Sequence, residues 1–141
     1  MKRADGCSRL LDPRELQSGV AEMKIVTQVL DGTYGKPSVG VQACLARASS
    51  NGWTTVAEAE TNSEGRIEEW DSWHLGHGLY RIVFDTDGYF ARLGAATAYP
   101  EVVVIFRMQH EYHKFQVLVT LAPYSYSTYF GTIDKPPETA R

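Results

Sequence analysis

Long apolar runs are missing from this 141-residue chain. Nothing approaches the roughly 18 consecutive apolar residues of a membrane-spanning helix. The first residues, Met1-Lys2-Arg3, are basic but no apolar stretch follows them, so no secretory signal is expected. Charge is equally sparse in pattern. The net charge is -3 and basic residues do not cluster, which argues against a nucleic-acid partner. Cysteine is scarce: Cys7 and Cys44 are the only two. One falls in an expected tail and one in an expected strand, so the spacing predicts neither a structural disulfide nor a zinc site. A cytoplasmic location is the corresponding expectation. Glycine-rich phosphate loops, a Ser-centred nucleophile elbow and a cysteine nucleophile with a partner are all lacking. No metal or cofactor is expected.

What is present is one domain's worth of short β-strands. Hydrophobic residues make up 43% of the chain, enough for a single core. Residues 1–22 have no sustained period and are expected to be a flexible tail. Residues 23–132 form the domain, and the polar, proline-bearing residues 133–141 are expected to be a second flexible tail. Met23 to Leu30 alternates as a first strand, with Ile25, Thr27 and Val29 on one face and Val26, Gln28 and Leu30 on the other. Val39 to Ala48 and Trp53 to Glu60 flank the hairpin turn Ser49-Ser50-Asn51-Gly52. A polar turn, Thr61 to Gly65, leads into a short strand at Arg66-Ile67. Leu79 to Asp85, Glu101 to Met108 and Tyr112 to Leu121 follow as strands. Asp87 to Leu93 is the one helical candidate, with Asp87 as its cap and Gly94 as its stop. Eight strands with glycine turns and one helix predict an all-β sandwich.

Four features stand out as chemistry. Gln28 is an amide in the middle of an otherwise apolar strand face, and Gln116 is its counterpart in the mixed face it forms with Leu118 and Thr120. Arg66 directly follows a turn glycine and is suited to an anionic or planar ligand, although a solvated surface cation is the commoner fate. His74 and His77 lie three apart near Asp71, but without a third histidine a metal site is not expected. The strongest signal is the uncharged stretch Pro123-Tyr124-Ser125-Tyr126-Ser127-Thr128-Tyr129-Phe130-Gly131-Thr132, in which hydroxyls and rings crowd one strand. So many neutral donors suit a pocket or an assembly.

Val29-Leu30-Asp31 with Gly35-Lys36-Pro37, then Thr61 to Arg66, then Pro123 to Tyr129, together resemble the transthyretin and hydroxyisourate hydrolase family over about residues 23–132. The resemblance implies a sandwich of two four-stranded sheets with one short helix. It further implies an edge-to-edge dimer, a homotetramer made of two such dimers, and a small-molecule ligand or substrate in the channel between them. No metal or cofactor is implied. The hydrolases of the family use a histidine where this chain has Gln28, an arginine where it has Arg66, and a second histidine where it has Gln116. They end in Tyr-Arg-Gly-Ser where this chain has Tyr129-Phe130-Gly131-Thr132. Gln28, Arg66, Gln116 and Thr132 are thus the candidate catalytic residues, and Tyr129, Phe130 and Gly131 the candidate ligand-binding ones.

The exchanges alter the chemistry. Imidazole moves protons near neutral pH, whereas an amide donates and accepts hydrogen bonds without titrating. Phenylalanine in place of arginine is expected to make the pocket more apolar. The resulting expectation is a divergent, cofactor-independent enzyme performing an isomerisation, cyclisation or cycloaddition. An orthodox hydroxyisourate hydrolase with His110 or His113 as base, and a non-catalytic carrier, are the alternatives.

Overall fold

The computed structural model describes residues 24–70, 75–109 and 114–133. Among the described residues, nine strands and one helix occur in the order β1 (Lys24–Asp31), β2 (Lys36–Pro37), β3 (Gln42–Ser49), β4 (Gly52–Glu60), β5 (Arg66–Ile67), β6 (Gly78–Phe84), α1 (Thr86–Arg92), β7 (Val102–Met108), β8 (Lys114–Ala122) and β9 (Ser125–Thr132). They form two sheets. One runs β2-β1-β8-β9, with β5 also paired to β1; the other runs β4-β3-β6-β7. The two-residue strands β2 and β5 share a single edge of β1, pairing Leu30 and Asp31 at one end and Thr27 and Gln28 at the other. The first sheet is therefore four strands wide, as expected, but it is built from one more strand than the sequence suggested. Lys36-Pro37 reads as a turn because two residues are too few to show alternation.

The sandwich follows from the period-2 pattern of its long strands. In β1, Ile25, Thr27, Val29 and Asp31 turn inward, and in β8 Phe115, Val117, Val119 and Leu121 do the same. These strands lie parallel and in register, Ile25 beside Phe115 and Val29 beside Val119. From the other sheet, Leu45, Tyr80, Ile82, Phe84 and Val104 meet them in one core cluster. Burying each large apolar side chain is worth about 1.5–3 kcal/mol.

The helix is capped two residues earlier than expected. Asp85, not Asp87, accepts a hydrogen bond from the Gly88 N–H at 3.0 Å through its side chain. A Cβ on Gly88 would lie 2.6 Å from that carboxylate, so glycine lets the cap close. Thr86, Tyr89 and Phe90 are the buried residues of α1, and Leu93 at its end is exposed. Gly94 ends the helix as expected, and the Ala95 N–H donates back to the Phe90 carbonyl at 2.9 Å.

Cys44 is buried in β3, and its sulfur lies 3.9 Å from the Thr55 hydroxyl. Cys7 lies outside the described residues. Among the described residues, no helix is long and apolar enough to cross a membrane.

Candidate functional site

The outward face of the β2-β1-β8-β9 sheet collects most of the residues singled out by the sequence. Gln28 pairs with Arg66 on one side and with Leu118 on the other, and Leu118 pairs with Tyr129. One row across the sheet is therefore Arg66, Gln28, Leu118, Tyr129. The adjoining row is Val26, Gln116, Gly131. Directly opposed residues share a face, with Cβ atoms about 5 Å apart. The two glutamines thus stand diagonally on neighbouring strands, both half-buried, with Val26 and Leu118 as apolar floor between them.

Arg66 owes its place to the turn before it. Asn62 accepts hydrogen bonds from the backbone N–H groups of Glu64 at 2.9 Å and Arg66 at 3.0 Å. Gly65 sits at φ 74°, and a Cβ there would fall 2.5 Å from the Val29 carbonyl oxygen. Only glycine allows that approach, and it lets the Val29 N–H donate to the Gly65 carbonyl at 2.8 Å. The turn is so pinned against β1, and the next residue faces Gln28. The Arg66 guanidinium is 42% exposed and pairs with Glu68 at 3.4 Å, a long and solvated contact of little intrinsic strength. It is free to exchange that partner for a bound anion.

Tyr129 leans along its strand and lies over Gly131. A Cβ at Gly131 would meet the Tyr129 hydroxyl and would come within 2.8 Å of its Cζ.

Two candidates fall elsewhere. Phe130 pairs with Val117 and faces the interior, stacked on Phe115 at 5.4 Å and on Phe106 at 5.2 Å. It ties β9 to β7 across the core and is not on the face that carries the glutamines, contrary to the expectation that it lines the pocket. Thr132 pairs with the inward-facing Phe115, and its hydroxyl donates to the Lys114 carbonyl at 3.0 Å. The arrangement therefore unites Gln28, Arg66, Gln116, Tyr129 and Gly131 and separates Phe130 and Thr132 from them.

Sequence reasoning missed a second polar anchor. Asp31 is 1% exposed and accepts hydrogen bonds from the Tyr89 hydroxyl at 2.7 Å and from the Thr33 and Tyr34 N–H groups at 2.8 and 3.0 Å. Burial, with the Asp31 contact, pushes the Tyr89 phenol up to about 12. No local signal joins residues 58 positions apart. His77 is exposed, and its carbonyl accepts from Arg47 at 2.9 Å. Asp71, His74, His110 and His113 lie outside the described residues.

The model of the HIUase/Transthyretin family matches residues 25–131. The chain belongs to that family. A 5-hydroxyisourate hydrolase of Salmonella dublin is 35% identical over 105 residues, covering 74% of this chain and 77% of that protein. The 5-hydroxyisourate hydrolase of Mus musculus is 34% identical over 77% of this chain and 94% of its own length. Among solved structures, Klebsiella pneumoniae 5-hydroxyisourate hydrolase superposes with a TM-score of 0.69 at 29% identity, covering 78% of this chain and 99% of its own. Sparus aurata transthyretin superposes with a TM-score of 0.73 at 25% identity, over 79% of this chain and 98% of its own.

Proposed function

We propose that this chain is a divergent hydroxyisourate-hydrolase-like enzyme that binds a small organic molecule on the outward face of the β2-β1-β8-β9 sheet. The observation that carries the reading is chemical. The outward positions of β1, β8 and β9 hold no histidine and no carboxylate, yet they gather two amides, a phenol and the neighbouring Arg66. General acid–base help from a well-placed imidazole is worth ~100- to 10,000-fold, and amides forgo it. What they supply is fixed donors and acceptors. Orientation and preorganised hydrogen bonds lower barriers for isomerisation, cyclisation or cycloaddition. In this reading Gln28 and Gln116 polarise a carbonyl, Arg66 anchors an anionic end, and Tyr129 with Gly131 shapes the pocket. Thr132 and Phe130 support the end of β9. A homotetramer, formed as a dimer of dimers, would enclose the face as a channel.

The relatives' name supports a second reading, orthodox hydrolysis of 5-hydroxyisourate. Following the ultraviolet decay of freshly made hydroxyisourate separates the two. Decay no faster than in buffer supports the divergent reading; acceleration that survives Gln28→Ala and Gln116→Ala sinks it. The transthyretin structure determined with thyroxine motivates a carrier as third reading. It is favoured if a bound ligand is recovered chemically unchanged.

A further inference from the structure

Gly131 has no conformational reason to be glycine. Its φ lies outside the positive range in which L side chains are strained. The reason is steric: the Tyr129 ring occupies the space a Cβ would take, with Cε1 at 3.0 Å and Cζ at 2.8 Å from that position. Side chains two apart on a strand share a face and stand roughly upright, leaning along the strand. A side chain at residue 131 would force the phenol away. Glycine lets it lie down, and the strand register decides where its hydroxyl arrives. Gly131 is opposite Gln116, so the hydroxyl is brought over the position whose cross-strand neighbour is the Gln116 amide.

We infer that Gly131 is the seat of the Tyr129 ring, and that the seated phenol acts with Gln116 as a pair of neutral hydrogen-bond donors to an oxyanion that develops on the substrate. This rests on the site proposed above and assigns it a substrate class: molecules with a carbonyl or enol oxygen that gains negative charge in the reaction. The phenol proton stays on Tyr129 throughout, and no bond to it breaks. Tyr129 is the catalytic residue, because it touches the reacting oxygen; Gly131 is a positioning residue. The ring is 58% exposed, so neither substitution below removes core packing.

The test uses 4-nitrophenol as a stable oxyanion, titrated against the full chain at a pH where it is ionised and followed by its absorbance. Tyr129→Phe removes the hydroxyl and keeps the ring. Gly131→Ala keeps the hydroxyl and displaces the ring. Gln116→Leu removes the partner donor. Each of the first two is expected to weaken binding by about 10- to 100-fold, as for a hydrogen bond to a charged group. The double variant should be no weaker than Tyr129→Phe alone, because one seated hydroxyl accounts for both losses. Circular dichroism should be unchanged in all. Binding that is lost in Gln116→Leu but kept in Tyr129→Phe overturns the inference and leaves the site intact. Additive losses in the double variant overturn the seating role of Gly131. Wild-type protein that does not bind the phenolate overturns both the inference and the site.

Discussion

At the scale of single residues, Tyr89 and Asp31 fasten the helix to the first strand. Asp31 is nearly inaccessible, and its remaining oxygen closes the turn after β1 through Thr33 and Tyr34. The Tyr89 phenol, raised from 10.0 to about 12, stays protonated in the folded chain while the unfolded chain ionises. Below pH 10 both states hold the proton and the stability is fully present. It is then lost as pH rises from about 10 towards 12. Burial raises Tyr80 in the same direction. Urea melts across this window should show a falling midpoint, and Tyr89→Phe should make the fall shallower. At pH 7 the same variant should cost about 1–3 kcal/mol by leaving a buried carboxylate oxygen without its donor. A slope unchanged by the substitution would refute the role given to Tyr89. Phe130 supports a different expectation. Because it bridges Phe106 and Phe115 inside the core, Phe130→Ala should destabilise the fold by about 2 kcal/mol, below the ~3–5 kcal/mol of a fully buried ring. Phenolate binding measured under folding conditions should change little.

At the scale of elements, the turn from Asn62 to Gly65 sets the site more than any side chain on it. Gly65→Ala places a Cβ against the Val29 carbonyl and asks an L-residue to hold φ 74°. The left-handed conformation alone costs roughly 1–2 kcal/mol, and the clash adds to it. The thermal midpoint should fall, and phenolate affinity should fall with it as Arg66 leaves its register with Gln28. Affinity unchanged in the destabilised variant would show that Arg66 is not held by this turn. The turn was legible in the sequence because Asn62, Gly65 and the following alternation are local. So were the inward and outward faces of β1 and β8, where Gln28 and Gln116 mark the outward rows. The facing of β9 was not. Rings and hydroxyls alternate on both sides of this strand, and only pairing with β8 sets Phe130 opposite the inward-facing Val117 and Tyr129 opposite Leu118. Phe130 is expected in the pocket only because it stands where the resembling hydrolases carry an arginine. Strand β2 and the Asp85 cap were missed as well. Two residues carry no period, and two aspartates, Asp85 and Asp87, compete for one cap until the backbone chooses.

At the scale of the whole molecule, the proposed site is half a site. A face holding Gln28, Gln116 and Leu118 only half-buried gives a small ligand a floor and two donors but no roof. Ligand pockets usually bury most of the ligand surface. The proposed dimer of dimers supplies the roof by setting two such faces against each other. Light scattering after size exclusion should then give about four times the 15.8 kDa chain mass. Leu118 lies in the central row of this face, between Gln28 and Tyr129. Leu118→Glu would place an unpaired carboxylate between the opposed sheets, where desolvation opposes burial. It should lower the mass to that of a dimer while the circular dichroism spectrum stays the same, since the residue points away from the core. Phenolate binding should be lost together with the larger species, at a protein concentration where the wild-type assembly is intact. A Leu118→Glu protein that keeps the wild-type mass would mean that the sheets do not meet at this face.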